Sequence, residues 1–127
     1  MQENHLFEYA IVRVVPKVER EEFINVGVIL YCPSKKFLGC LFTLNESKLN
    51  MMNCQLDMEE LKQHLNAFEK ICMGAKDGGP IARLDLPSRF RWLTATRSTV
   101  LQSSKVHPGL SPDPARMLDH LHRQLVL

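Results

Sequence analysis

The sequence predicts an α+β domain: an antiparallel sheet of three to four strands, with two main helices packed mainly on one face. Two observations predict it. Three β-rich runs follow one another through short connections, and consecutive strands joined that tightly form an antiparallel meander. After position 57 the apolar residues change from alternation to a spacing of three and four, the period of a helix with one covered face.

The first run is Tyr9-Ala-Ile-Val-Arg-Val-Val15, rich in β-branched residues and closed by Pro16, which has no amide to donate to a ladder. A polar stretch, Lys17 to Glu22, leads into the second run, Phe23-Ile-Asn-Val-Gly-Val-Ile-Leu-Tyr31. It is apolar at most positions and reads as a central strand, with Asn25 and Gly27 as its anomalies. Pro33 to Lys36 makes a turn, because proline presets φ and the residues after it are polar. Phe37 to Leu44 is the third strand.

Asp57 and Glu60 then form a D-x-x-E helix start, in which each side chain is placed to satisfy a free amide of the first turn. Met58, Leu61, Leu65, Phe68, Ile71 and Cys72 share one face, and Gly74 ends the helix as its C-terminal cap. The glycine- and proline-rich stretch Gly74 to Pro80 is a loop. Ser88 is expected to cap a short helix through Trp92, and Thr99 to Val106 to form a fourth strand. Asp113 and Pro114 open the last helix, with Met117, Leu118, Leu121 and Leu125 as its buried stripe.

The chain has 127 residues, the size of one ordinary domain, so residues 1–127 are read as a single unit. Its net charge of +2 does not demand a polyanionic partner. No apolar run approaches membrane-helix length, and the N-terminus lacks the basic-then-apolar profile of a signal peptide. A cytoplasmic protein with no membrane role is therefore expected. Cys32, Cys40, Cys54 and Cys72 contain no C-x-x-C pair, so they are expected to be thiols in the core, with no structural metal. No phosphate-cradling glycine motif or nucleophile elbow occurs. No cofactor is implied, and an enzyme is not supported.

Two polar clusters are candidates for a site. The first is Arg13, Glu19, Arg20, Glu22 and Asn25. Arg13 interrupts a run of Val and Ile and should point to an open sheet face, within reach of Glu19 or Glu22. Read as an ordinary surface ion pair, it adds at most about 1 kcal/mol. Asn25 and Gly27, two apart on a strand, are expected on the same face, and a glycine there permits close approach by another backbone or a ligand, or relieves a bulge, which is the commoner case.

The second cluster is Arg97, Ser98, Thr99, Gln102 and His107. Between positions 81 and 107 five cations face one acid, Asp85, whereas residues 1–63 hold seven basic and nine acidic side chains. Guanidinium forks with adjacent hydroxyls suit a phosphate or carboxylate, and Phe90 and Trp92 alternate with Arg89 and Arg91 as bases and cations do in a stacking site. The same alternation also describes arginines lying over a buried face.

Tyr9-Ala-Ile-Val-Arg-Val-Val-Pro16, Glu19-Arg20 and Glu22-Phe-Ile-Asn-Val-Gly-Val-Ile-Leu30 resemble the opening of a bacterial family, the domain-of-unknown-function family numbered three-zero-three-seven. Gly79-Pro-Ile-Ala82, Arg89-Phe-Arg-Trp-Leu93, Arg97-Ser-Thr99, Gln102 and Val106-His-Pro-Gly109 resemble its second block. Members often carry Gly where this chain has Glu21. The family has no established activity. The resemblance implies that members are often encoded beside a HipA-like kinase, and hence a small accessory or regulatory subunit of a toxin–antitoxin type system. It also makes the two polar blocks the natural place for a shared site, joined if the fourth strand lies beside the first or second.

Two functional readings follow. In the first, the chain is a non-catalytic interaction module that docks on another protein, a HipA-like kinase among the candidates, through an apolar patch rimmed by Arg89, Arg91 and Arg97. In the second, it binds a nucleotide or nucleic acid through Arg97, Ser98 and Thr99, with His107 as general acid or base in the same pocket.

Overall fold

The structure, a computed structural model, describes residues 3–16, 22–53, 55–97 and 99–127. Five strands form one antiparallel sheet: β1 (His5–Val14), β2 (Ile24–Cys32), β3 (Phe37–Phe42), β4 (Leu101–Ser103) and β5 (His107–Ser111). The helices are α1 (Glu46–Met52), α2 (Met58–Met73), α3 (Leu86–Leu93) and α4 (Pro114–Leu125). The order β3-β2-β1 is the expected meander, and β4 and β5 both pair with the remaining edge of β1.

β4 and β5 form one interrupted strand. Ser103 lies opposite Val12 and His107 opposite Tyr9, so four steps on one chain match three on the other. Ser104 bridges the mismatch. Its amide donates to the Ile11 carbonyl at 2.8 Å, and its Oγ accepts from the Ile11 amide at 2.8 Å. The side chain thus stands in for a ladder carbonyl where the extra residue breaks the pairing. The expected fourth strand, 99–106, is therefore the first part of a longer edge strand reaching Ser111. The sheet has five strands rather than three or four.

The helices also divide between the two faces. Val12, Val14, Ile24, Val26 and Ile29 pack with Leu49 of α1, Leu61, Leu65 and Phe68 of α2, and Phe90 and Leu93 of α3. Phe7, Val28, Leu30 and Cys32 pack with Leu118 and Leu121 of α4 on the other side. The cause is the composition of β2. A central strand apolar at nearly every position leaves both faces needing cover. Placing the helices mainly on one face is corrected accordingly.

A bulge in β2 changes a second expectation. Val12 pairs with Gly27 but Arg13 pairs with Asn25, which makes Val26 an extra residue. Asn25 therefore lies on the α4 side, where its Nδ2 donates to the Leu125 carbonyl at 3.1 Å. Gly27 faces the other way, beneath the ring of Phe42, its partner on β3. The two do not share a face.

The helix ends follow the sequence closely. Asp57 caps α2 by accepting from the Glu60 amide, and Gly74 closes it at φ +66°. Asp113 caps α4, whose first residue is Pro114. For α3 the cap is Asp85, accepting from the Ser88 amide at 2.9 Å, so the cap lies three residues before the expected one, Ser88. No described helix is long and apolar enough to cross a membrane.

Candidate functional site

Two arginines of the α3 region, Arg89 and Arg97, serve helix ends. Arg89 is 9% exposed, and its Nη1 donates to the Ile71 carbonyl at 3.3 Å, in the last turn of α2. A side chain at Gly74 would collide with that guanidinium. Arg97 does the same for α3. Its Nη1 donates to Leu93 and Ala95 carbonyls at 3.2 Å each, and its Nη2 to the Trp92 carbonyl at 2.6 Å. The last carbonyls of a helix have no internal partner and sit at its negative end, so a cation there is doubly favoured.

Arg97 is also stacked. Its Cζ lies 4.6 Å from the Trp92 ring centre and 5.1 Å from that of Phe68, and those two rings meet edge to face at 5.7 Å. Burial between them lowers the guanidinium pKa from its ordinary value. Among the described residues no carboxylate pairs with it.

Arg97 and Thr99 line a groove between α2 and the chain leading into β4. One part, of about 320 Å³, is bounded by His64, Ala67, Phe68, Trp92, Arg97, Thr99 and Leu101. An adjoining part of about 220 Å³ shares His64, Thr99 and Leu101 and ends at Asp57 and Glu60. Thr99 donates its Oγ1 hydrogen to the Leu101 carbonyl at 2.9 Å, which leaves the oxygen as an acceptor.

The first polar cluster lies on the other face. Asn25, Arg13 and Gln102 are neighbours across β2, β1 and β4, so the two blocks do meet through Gln102. The Arg13 Cζ lies 4.2 Å above the half-exposed Phe23 ring. Among the described residues, Arg13 Nε and Asn25 Oδ1 are buried without a hydrogen-bond partner. Gln102 Nε2 donates to the Thr99 carbonyl at 2.8 Å. Glu22 is exposed immediately before Phe23. Glu19, Arg20 and Ser98 lie outside the described residues.

His107 is separate again. It is exposed opposite Tyr9, with ring centres 5.3 Å apart, and it does not line the groove that holds Arg97. Ser103 Oγ donates to the Ser104 carbonyl, and Ser104 Oγ to the Lys105 carbonyl. Neither hydroxyl is directed at His107. The half-buried Cys40 thiol is held far above the ordinary thiol range, first by a hydrogen bond with Cys72 and then by burial. A thiol so protonated is a poor nucleophile. Cys54 lies outside the described residues, and the other three cysteines are free.

The expected apolar patch rimmed by Arg89, Arg91 and Arg97 does not form, because Arg89 is buried and Arg97 lies against α3. An exposed apolar patch exists elsewhere. Leu6 and Leu110 face one another across β1 and β5 and are 57% and 63% exposed. Pro108 and Val106 are also exposed, and strand alternation puts Pro108 on the same face. α4 covers the opposite face of this corner, where Phe7 packs with Leu118 and Leu121. The sequence reading started the first strand at Tyr9 and ended the last at Val106, so both leucines fell outside it.

The family described as "Protein of unknown function (DUF3037)" matches residues 9–126. The chain belongs to the DUF3037 family. No curated protein and no solved structure matches it. Both polar blocks of this DUF3037 member, and the Arg97 groove, fall within the matched span; Leu6 lies just before it.

Proposed function

We propose that this DUF3037 member is a non-catalytic accessory module that docks on another protein through the Leu6–Leu110 corner of its sheet. The observation that carries the reading is the exposure of that cross-strand pair, 57% and 63%, although α1, α2 and α3 bury Val12 and Val14 farther along the same strand face. Large exposed apolar side chains in contact with each other mark interaction surfaces more than scattered single ones do. Pro108 supports a partner lying face-on, since it removes an amide donor from the free edge and blunts strand addition. Glu8, in the row next to Leu6 on that face, favours a basic rim on the partner. A HipA-like kinase is the first candidate because of the neighbourhood that the family resemblance implies.

The commitment of Arg97 to helix carbonyls and the separation of His107 from it weigh against a catalytic phosphate site. The test is recovery of partners on tagged protein from the native host, with and without nuclease, for the wild type and for Leu110→Glu. One stoichiometric protein that resists nuclease and is lost from Leu110→Glu supports the reading. Nucleic acid recovered equally by both proteins contradicts it.

A further inference from the structure

We propose that the groove between α2 and Thr99–Leu101 binds a small monocarboxylate with an alkyl or aryl body, its carboxylate against Arg97. The site lies at the other end of β1 from the Leu6–Leu110 corner: Leu101 pairs with Val14, whereas Leu110 pairs with Leu6. It is therefore independent of the docking surface.

Three features select this ligand. The first is the state of Arg97. A guanidinium carries five N–H donors. Three hydrogen bonds go to carbonyls, with Nη1 making two and Nη2 one. Among the described residues, the Nε hydrogen and one on Nη2 are left over, and no carboxylate neutralises the charge. The helix carbonyls and the two flanking rings hold the group in place, so a bound anion need not order a free side chain. A fixed fork with spare donors suits a carboxylate.

The second is the wall beyond the cation. Phe68, Ala67 and Leu101 form an apolar surface beside Trp92 in a space of about 320 Å³, at the lower end of the size of small-molecule sites. An anion without an apolar body would leave that surface wet.

The third is the far end. Where the groove continues past His64, it is bounded by Asp57 and Glu60. Negative charge there opposes a second anionic group, so polyphosphates and dicarboxylates fit poorly. One anion at one end, followed by an apolar body, is the complementary pattern.

Trp92, the only tryptophan in the sequence, lines the groove and reports on it. The experiment is titration of the full chain with octanoate, octanol and AMP, following Trp92 emission and amide shifts along α2. Octanoate should give saturable changes, with octanol and AMP at least tenfold weaker. Ala67→Phe fills the groove from an exposed helix position without touching the cap at Arg97. It should keep the wild-type urea midpoint within error and weaken octanoate at least tenfold. Absence of saturation by octanoate overturns the proposal. So does octanol or AMP binding as tightly, or undiminished octanoate affinity in a folded Ala67→Phe.

Discussion

Arg97 donates from Nη2 to the carbonyl of Trp92 at 2.6 Å while its guanidinium carbon stands 4.6 Å from the ring of that same residue. One side chain thus closes α3 and fixes the tryptophan. Arg97→Ala leaves the carbonyls of Leu93 and Ala95 to water and that of Trp92 with the Ala95 amide at 3.4 Å, and should cost about 2 kcal/mol, in the range for hydrogen bonds from charged groups. Urea unfolding measures it. Arg97→Lys keeps the charge but not the fork and should recover less than half. A cost below about 0.5 kcal/mol for Arg97→Ala, the level of an ordinary surface change, would show that the cap matters little.

Gly74 and Gly79 separate backbone strain from packing. Both have positive φ, +66° and +83°, so alanine at either position costs roughly 1–2 kcal/mol in backbone strain. Nothing lies near a side chain at Gly79, whereas at Gly74 it would meet the Arg89 guanidinium. Gly74→Ala should therefore destabilise more than Gly79→Ala, by about 1 kcal/mol or more, as the buried Arg89 loses its acceptor. Equal costs in thermal unfolding would contradict the role of Arg89 at the α2 terminus.

Asn25 and Arg13 should respond differently to truncation. Asn25→Ala frees the Leu125 carbonyl and should speed amide exchange in the last turn of α4. Its cost should be about 1 kcal/mol. Arg13→Met removes a buried Nε that has no partner among the described residues and should be near neutral, within about 0.5 kcal/mol. A large loss from Arg13→Met would show that its remaining donors anchor the fold.

Asp85 contributes to the acid limb of stability. The hydrogen bonds from Ser88 hold its carboxyl below the ordinary 3.8. A carboxyl lowered on folding stabilises fully above the unfolded pKa and loses that contribution as pH falls through the lowered folded value. Asp77, lowered by Lys70, acts in the same window and direction. Asp85→Asn retains a capping oxygen but cannot titrate. Its stability should fall less steeply than wild type below about pH 4, and parallel acid limbs would contradict the assignment.

Much of the fold was legible because it is written locally. The β-branched runs, Asp57 and Gly74, and Asp113–Pro114 each state their structure within a few residues. The all-apolar β2 also carried the signal for two covered faces, but counting helices on one side missed it. A bulge was legible as one reason for Gly27 in the strand, but its place at Val26 was not, since the register that puts Asn25 and Gly27 on opposite faces is fixed by pairing with Arg13 and Val12. The cationic stretch misled for a related reason. Arg89 looks like an anion ligand in sequence, and only the tertiary position of α2 shows that a helix carbonyl already holds its buried guanidinium. Gln102 opposite Arg13 was anticipated on the condition that the fourth strand lay beside the first. Leu6 and Leu110 were missed because their exposure arises from where the helices stop.

The most direct measurement is photo-crosslinking in the native host from benzoylphenylalanine placed at Leu110, with the same residue at Gln63, exposed on α2, as the comparison. The docking surface predicts one dominant protein adduct from position 110 that is absent from position 63 and disappears when Leu6→Glu is added. Adducts from position 110 that match those from position 63, or that survive Leu6→Glu in a folded protein, would contradict it.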